Sequence, residues 1–117
     1  MKNKTFLQSV RCAFTGAFYA VRTEKNFRYY LGIYTFFFII NCLIHLEFTL
    51  HLLPMMCVFG ACSAEMLNTA VEHLSDDYTS EIRNEIRLVK DIAAAGVLMW
   101  GFAFFIIEGI YICRWLF

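Results

Sequence analysis

Three stretches without a charged residue divide this chain: Tyr29 to Ile44, Leu52 to Ala64 and Ile92 to Ile107. Counting ends that snorkel to the interface, each grows to the roughly 17–25 residues that cross a bilayer. The pattern predicts transmembrane helices over about 28–47, 50–74 and 90–113. Residues 4–22 behave differently. Leu7, Val10, Phe14, Ala17, Phe18 and Val21 recur at helical spacing on one face, with Lys4, Arg11 and Arg22 along its edge. That is the pattern of an amphipathic helix lying in the headgroup layer, although a helix packed on its own protein would look alike. The expected architecture is an all-α membrane protein, one domain over 1–117, with an N-terminal surface helix and three spans.

The second span interrupts its own hydrophobicity. At about 100° per residue, Glu65, Asn68, Thr69, Glu72 and Asp76 fall within one arc of about 100°. Ionisable groups inside such a segment are costly and persist where they face a site, a partner or water. Pro54 sits near the start of this span, where a missing N–H costs little. Gly60 and Ala64, four apart, and Ala93-Ala94-Ala95-Gly96 at the opening of the third span offer small surfaces for close helix approach. Three thin helices do not surround an acidic site by themselves, so self-association is expected.

Composition agrees: 117 residues, 60% of them apolar, with formal charges that balance at zero but are strongly clumped. A chain this short has too little interior to hide three such helices in water. The N-terminus is basic, but no small-residue cleavage site follows its first apolar run, so no signal peptide is expected. The five cysteines form no C-x-x-C pair and read as small apolar packing residues rather than zinc ligands or disulfides. Lys2, Lys4, Arg11, Arg22, Lys25 and Arg28 precede the first span, and Arg83, Arg87 and Lys90 lie between the second and third. The positive-inside rule puts the N-terminus and the 76–90 segment, read as a charged loop or surface turn, in the cytoplasm. No nucleic-acid partner is expected.

Glu65 and Glu72 lie about 10 Å apart along the helix, Glu72 near the cytoplasmic surface and Glu65 two turns deeper. A surface carboxylate suits a hard divalent ion that bridges phosphate oxygens, since Mg²⁺ takes few protein ligands. A deeper one suits accepting a proton from a hydroxyl. Glu24, Lys90 and Asp91 border spans at the same membrane level, which together supplies the parts for phosphoryl transfer. Helix-end charge is the plain alternative for Glu72, Asp76, Lys90 and Asp91. His45, Glu47 and His51 resemble metal ligands on paper, but a solvated outer turn explains them. Walker A, kinase Gly-rich, G-x-S-x-G and H-E-x-x-H motifs are absent from the sequence.

The run Glu65-Met66-Leu67-Asn68-Thr69-Ala70-Val71-Glu72 with Asp76, followed by Lys90-Asp91-Ile92-Ala93-Ala94-Ala95, resembles the signature of the small bacterial integral-membrane lipid kinases, the prokaryotic diacylglycerol and undecaprenol kinases. Tyr19 to Arg28 also resembles that family's stretch before its first span. The likeness implies a homotrimer in the bacterial inner membrane with active sites shared between neighbours, using ATP and Mg²⁺ to phosphorylate a membrane lipid alcohol. It implies Glu65 as catalytic base, and Glu24 and Glu72 as metal-binding carboxylates. Glu24, Asn68, Glu72, Asp76, Glu81, Arg83, Lys90 and Asp91 would meet ATP, and Glu65 with Ala94 the lipid. Thr5 and Cys12 fall where some members carry a ligand-reaching arginine and tyrosine. The Glu24-Lys25-Asn26-Phe27-Arg28 form leans toward undecaprenol, although Tyr29-Tyr30 stands where that branch often has histidine.

Two other functions remain open to the residues. A small proton-coupled transporter would explain an intramembrane acid, but not the grouping of Glu24, Glu72, Lys90 and Asp91 at one membrane face. A non-catalytic membrane subunit would predict that Glu65 is dispensable.

Overall fold

The computed structural model describes residues 5–117 as helices joined by short turns. Lys2, Lys4 and the expected helix start at residue 4 lie outside the described residues. Helix α1, Phe6–Thr23, opens on a capping box: the Thr5 hydroxyl accepts from the Gln8 N–H at 3.2 Å, and the Gln8 side chain accepts from the Thr5 N–H at 3.0 Å. Its apolar face stays uncovered, with Leu7 78% exposed and Phe14 and Phe18 similar. Ala20 is nonetheless buried, and the Tyr19 ring meets His73 at 5.7 Å. One edge of the helix packs on the protein while its apolar face stays open.

Helix α2, Asn26–Leu43, is shorter than the expected 28–47 span. The chain turns at His45, whose φ of 57° is left-handed, and a 3-10 turn over Phe48–His51 leads on. Helix α3, Leu52–Tyr78, tolerates Pro54 in its first turn, where N–H groups have no intrahelical acceptor. Helix α4, Asn84–Leu116, is about 50 Å long. The charged segment expected to be a loop over 76–90 is thus largely helical, and only 79–83 is left as connection.

Two stretches, Phe48–Tyr78 and Asn84–Leu116, are long and apolar enough to cross a membrane. Only 22% of each apolar window is buried within the chain, against the mostly buried core helix of a water-soluble protein. Such surfaces need lipid or neighbouring subunits to cover them, as the helices of a membrane protein do. Helix α2 has 18 residues, about 27 Å, and opens on Asn26 and Arg28, which dilute its apolar character.

Helices α3 and α4 form the packed pair. A Cβ on Gly60 would lie 2.6 Å from the Trp100 indole, so the ring sits directly on the α3 backbone. Gly60 therefore serves close approach, though to a ring rather than to a helix backbone. Gly96 has nothing within 4 Å of such a Cβ and is not used this way inside the chain. Helix α2 joins the pair in its second half, where Phe37 stacks edge-on against Phe104 and Phe105 at 5.5 and 5.8 Å. Its first half buries Phe27 and reaches α3 through Asn26 and Tyr30, and a cleft opens between α2, α3 and α4.

Candidate functional site

Glu65 lies on α3 at the head of that cleft, 3% exposed, with both carboxylate oxygens held from α2. The Asn26 amide donates to Oε1 at 3.3 Å and the Tyr30 hydroxyl donates to Oε2 at 3.0 Å. Asn26 and Tyr30 are four apart, one turn on the same helix face, so a single orientation of α2 delivers both donors. Below the carboxylate the walls are almost wholly apolar, with Ile33 from α2, Val58 and Ala61 from α3, and Val97 and Leu98 from α4. Ala94 lines the same cleft, whose volume is about 360 Å³. Its amphipathic design, a buried carboxylate over a greasy trough, matches an alcohol with a hydrocarbon tail.

One turn on, the Asn68 amide donates to Glu72 Oε1 at 3.3 Å, while its own Oδ1 is buried without a hydrogen-bond partner among the described residues. The Glu72 carboxylate feels Glu24 and Glu65 as like charges and Lys90 as the opposing one. Glu24 ends α1, so α1, α3 and α4 bring these groups to one end of the bundle. Lys90 donates to Asp76 at 2.7 Å. Those two residues line, with Glu81 and Arg83, a polar cavity of about 400 Å³ between the end of α3 and the start of α4. A pair 36% and 70% exposed adds little stability, about 0–1 kcal/mol, so its interest lies in holding an ammonium at a polar cavity.

The expected site residues thus fall into three groups. Glu65, Asn68 and Ala94 share the apolar cleft; Asp76, Glu81, Arg83 and Lys90 share the polar cavity; Glu24 and Glu72 interact by charge at the same end. Asp91 is exposed and lines neither space. Thr69 leaves the stripe, because its hydroxyl donates to the Glu65 carbonyl at 2.9 Å and so serves the helix backbone. Among the described residues, no three His, Cys, Asp or Glu side chains converge as an ion cage.

Sequence reasoning missed the donors Asn26 and Tyr30 as site residues, and a second buried acid. Glu108 on α4 is 1% exposed and accepts from the Asn41 amide of α2 at 2.9 Å. The signal for Glu108 was available: it stands inside the third apolar span, where the reasoning applied to Glu65 holds equally. No comparable signal marks Tyr30, since one aromatic among many in a span looks like lipid-facing bulk.

Fold and site together define a small helical membrane protein with a buried carboxylate over an apolar cleft and a charged cavity at the same end. The family model for prokaryotic diacylglycerol kinase matches residues 11–112, and the chain belongs to that family of lipid kinases. It is 29% identical over 96 residues to an undecaprenol kinase of Bacillus subtilis (strain 168), covering 82% of this chain and 78% of that protein. No solved structure matches the chain.

Proposed function

We propose that this lipid kinase transfers the γ-phosphate of ATP to the hydroxyl of a membrane lipid alcohol, undecaprenol in preference to diacylglycerol. The observation that carries the reading is Glu65, buried, held by two donors and facing an apolar cleft. The acceptor tail lies in the cleft against Ala94, which brings its hydroxyl to Glu65. As the alcohol oxygen forms its bond to the γ-phosphorus and the bond to the β-phosphate oxygen breaks, the hydroxyl proton passes to Glu65. ATP occupies the polar end, met by Asn68, Asp76, Glu81, Arg83 and Lys90, with Asp91 nearby. Lys90 supplies positive charge to the phosphates.

Glu24 and Glu72 would hold Mg²⁺, which neutralises phosphate charge when bound. Two like-charged carboxylates interacting there suit an ion that completes its shell with phosphate oxygens and water. The full arrangement is a homotrimer in the bacterial inner membrane with α2 as a third span, active sites shared between subunits, and the N-terminus and the α3–α4 connection cytoplasmic. The run of Lys and Arg before α2 and between α3 and α4 supports that orientation. The likeness to an undecaprenol kinase supports the acceptor.

Purified protein given labelled ATP with undecaprenol and diacylglycerol in parallel tests the reading. Label is expected in both lipid fractions or in undecaprenol alone, with undecaprenol faster. Glu65→Gln is expected to lower kcat by about 10²–10⁴-fold, the usual worth of a general base, with ATP binding and assembly intact. Near wild-type transfer by that variant would remove Glu65 from the mechanism, and a faster reaction on diacylglycerol would overturn the acceptor.

A further inference from the structure

The two donors on α2 do more than satisfy a buried acid. A carboxylate rotates freely about its last bond, and a general base works only when a lone pair is aimed at the proton it takes. Here Asn26 fixes one oxygen and Tyr30 the other, at 3.3 and 3.0 Å, so the plane of the Glu65 carboxylate is set from a neighbouring helix. Each oxygen keeps a second lone pair. Tyr30 and Asn26 themselves line the cleft, so the fixed carboxylate is presented where the cleft ends. Asn26 also stands two residues after Glu24, the carboxylate that interacts with Glu72. One short stretch of chain therefore ties the orientation of the base to the polar end of the site.

We infer that Tyr30 and Asn26 are positioning residues of the phosphoryl transfer, holding Glu65 in the one orientation from which it can take the acceptor proton. The inference rests on the kinase reading above. Neither residue needs to touch the phosphates or change protonation. Their contribution is to remove the rotational search of the carboxylate, so their loss shows in kcat and leaves ATP affinity alone.

Tyr30→Phe removes only the hydroxyl; the ring keeps its edge contact with Phe27, whose centroid is 6.4 Å away. The variant is expected to fold, to keep the wild-type KM for ATP, and to lose about ten- to a hundredfold in kcat. Tyr30→His retains an N–H donor and is expected to recover most of that loss. Asn26→Asp replaces a donor by a second carboxylate facing Glu65, and is expected to be worse than Asn26→Ala. Wild-type kcat in Tyr30→Phe would overturn the inference. So would an equal loss in Tyr30→His, or a loss carried by KM for ATP alone. Inactivity of the wild-type chain on every lipid alcohol would overturn the kinase reading as well, whereas an active wild type with an indifferent Tyr30→Phe overturns the clamp only.

Discussion

Glu108 and Asn41 pose the sharper energetic question, because each is 1% exposed and each keeps one oxygen without a hydrogen-bond partner among the described residues. Removing one member of a buried pair strands the other, at a cost of about 1–3 kcal/mol, whereas replacing both by apolar groups of similar shape is nearly neutral. Asn41→Leu, which takes away the one hydrogen bond to the acid and leaves it only the charge interaction with His51, is therefore expected to destabilise more than Glu108→Leu, which strands only an amide. Glu108→Gln keeps an acceptor for the Asn41 amide and is expected to cost least. The double Leu variant should be closer to wild type than the sum of the singles, as unfolding in detergent would show through a double-mutant cycle. Additive losses would mean that the 2.9 Å bond contributes nothing. The same test at Glu65 has the opposite logic: Glu65→Gln should cost activity far more than stability, because the Asn26 amide can still donate to the remaining oxygen while the Tyr30 hydroxyl can turn to accept from the new amide.

At the scale of helices, the stripe on α3 was legible because its residues share one face of a single element, and helical periodicity alone puts them together. Glu65 and Asn68 are indeed buried side by side, while Thr69, on the same face, spends its hydroxyl on the backbone. What the sequence left open is how α2 meets α3. The i, i+4 spacing of Asn26 and Tyr30 is visible in the chain, but which of many faces of an aromatic-rich helix turns inward depends on packing. Helix ends are also hard to read where charge suggests a loop: α4 begins at Asn84 because charged residues in a first turn facing water cost a helix little. Packing also explains Gly60, whose missing Cβ admits Trp100. Gly60→Ala places a methyl where the indole now lies, so Trp100 must move, and it lines the cleft. The variant is expected to raise the KM for the lipid with ATP binding unchanged. Gly96→Ala, with open space around it, should leave both constants alone. Equal behaviour of the two would show that Trp100 does not shape the acceptor cleft.

The whole molecule measures 53 × 39 × 19 Å, and a helix with its side chains is about 10–12 Å across, so it is a slab two helices thick. Such a slab leaves wide surfaces uncovered, and Leu98, Met99, Phe102 and Ile106, within one arc of about 100° on α4, are all more than half exposed. Lipid can cover such residues, but lipid does not close a site in which a phosphate must meet an alcohol before it meets water. A neighbouring copy can, and that argues for sites completed across subunits. Two variants separate the possibilities: Glu65→Gln disables the acceptor end, and Lys90→Ala removes the cation from the polar cavity. Each is expected to be inactive alone. Co-expressed with different tags and purified as mixed oligomers, they should regain activity if one subunit's Glu65 works with its neighbour's Lys90, since some sites then hold both intact residues. Mixed oligomers as inactive as either parent would mean that each chain completes its own site, and full activity from an isolated monomer would remove the need for a neighbour altogether.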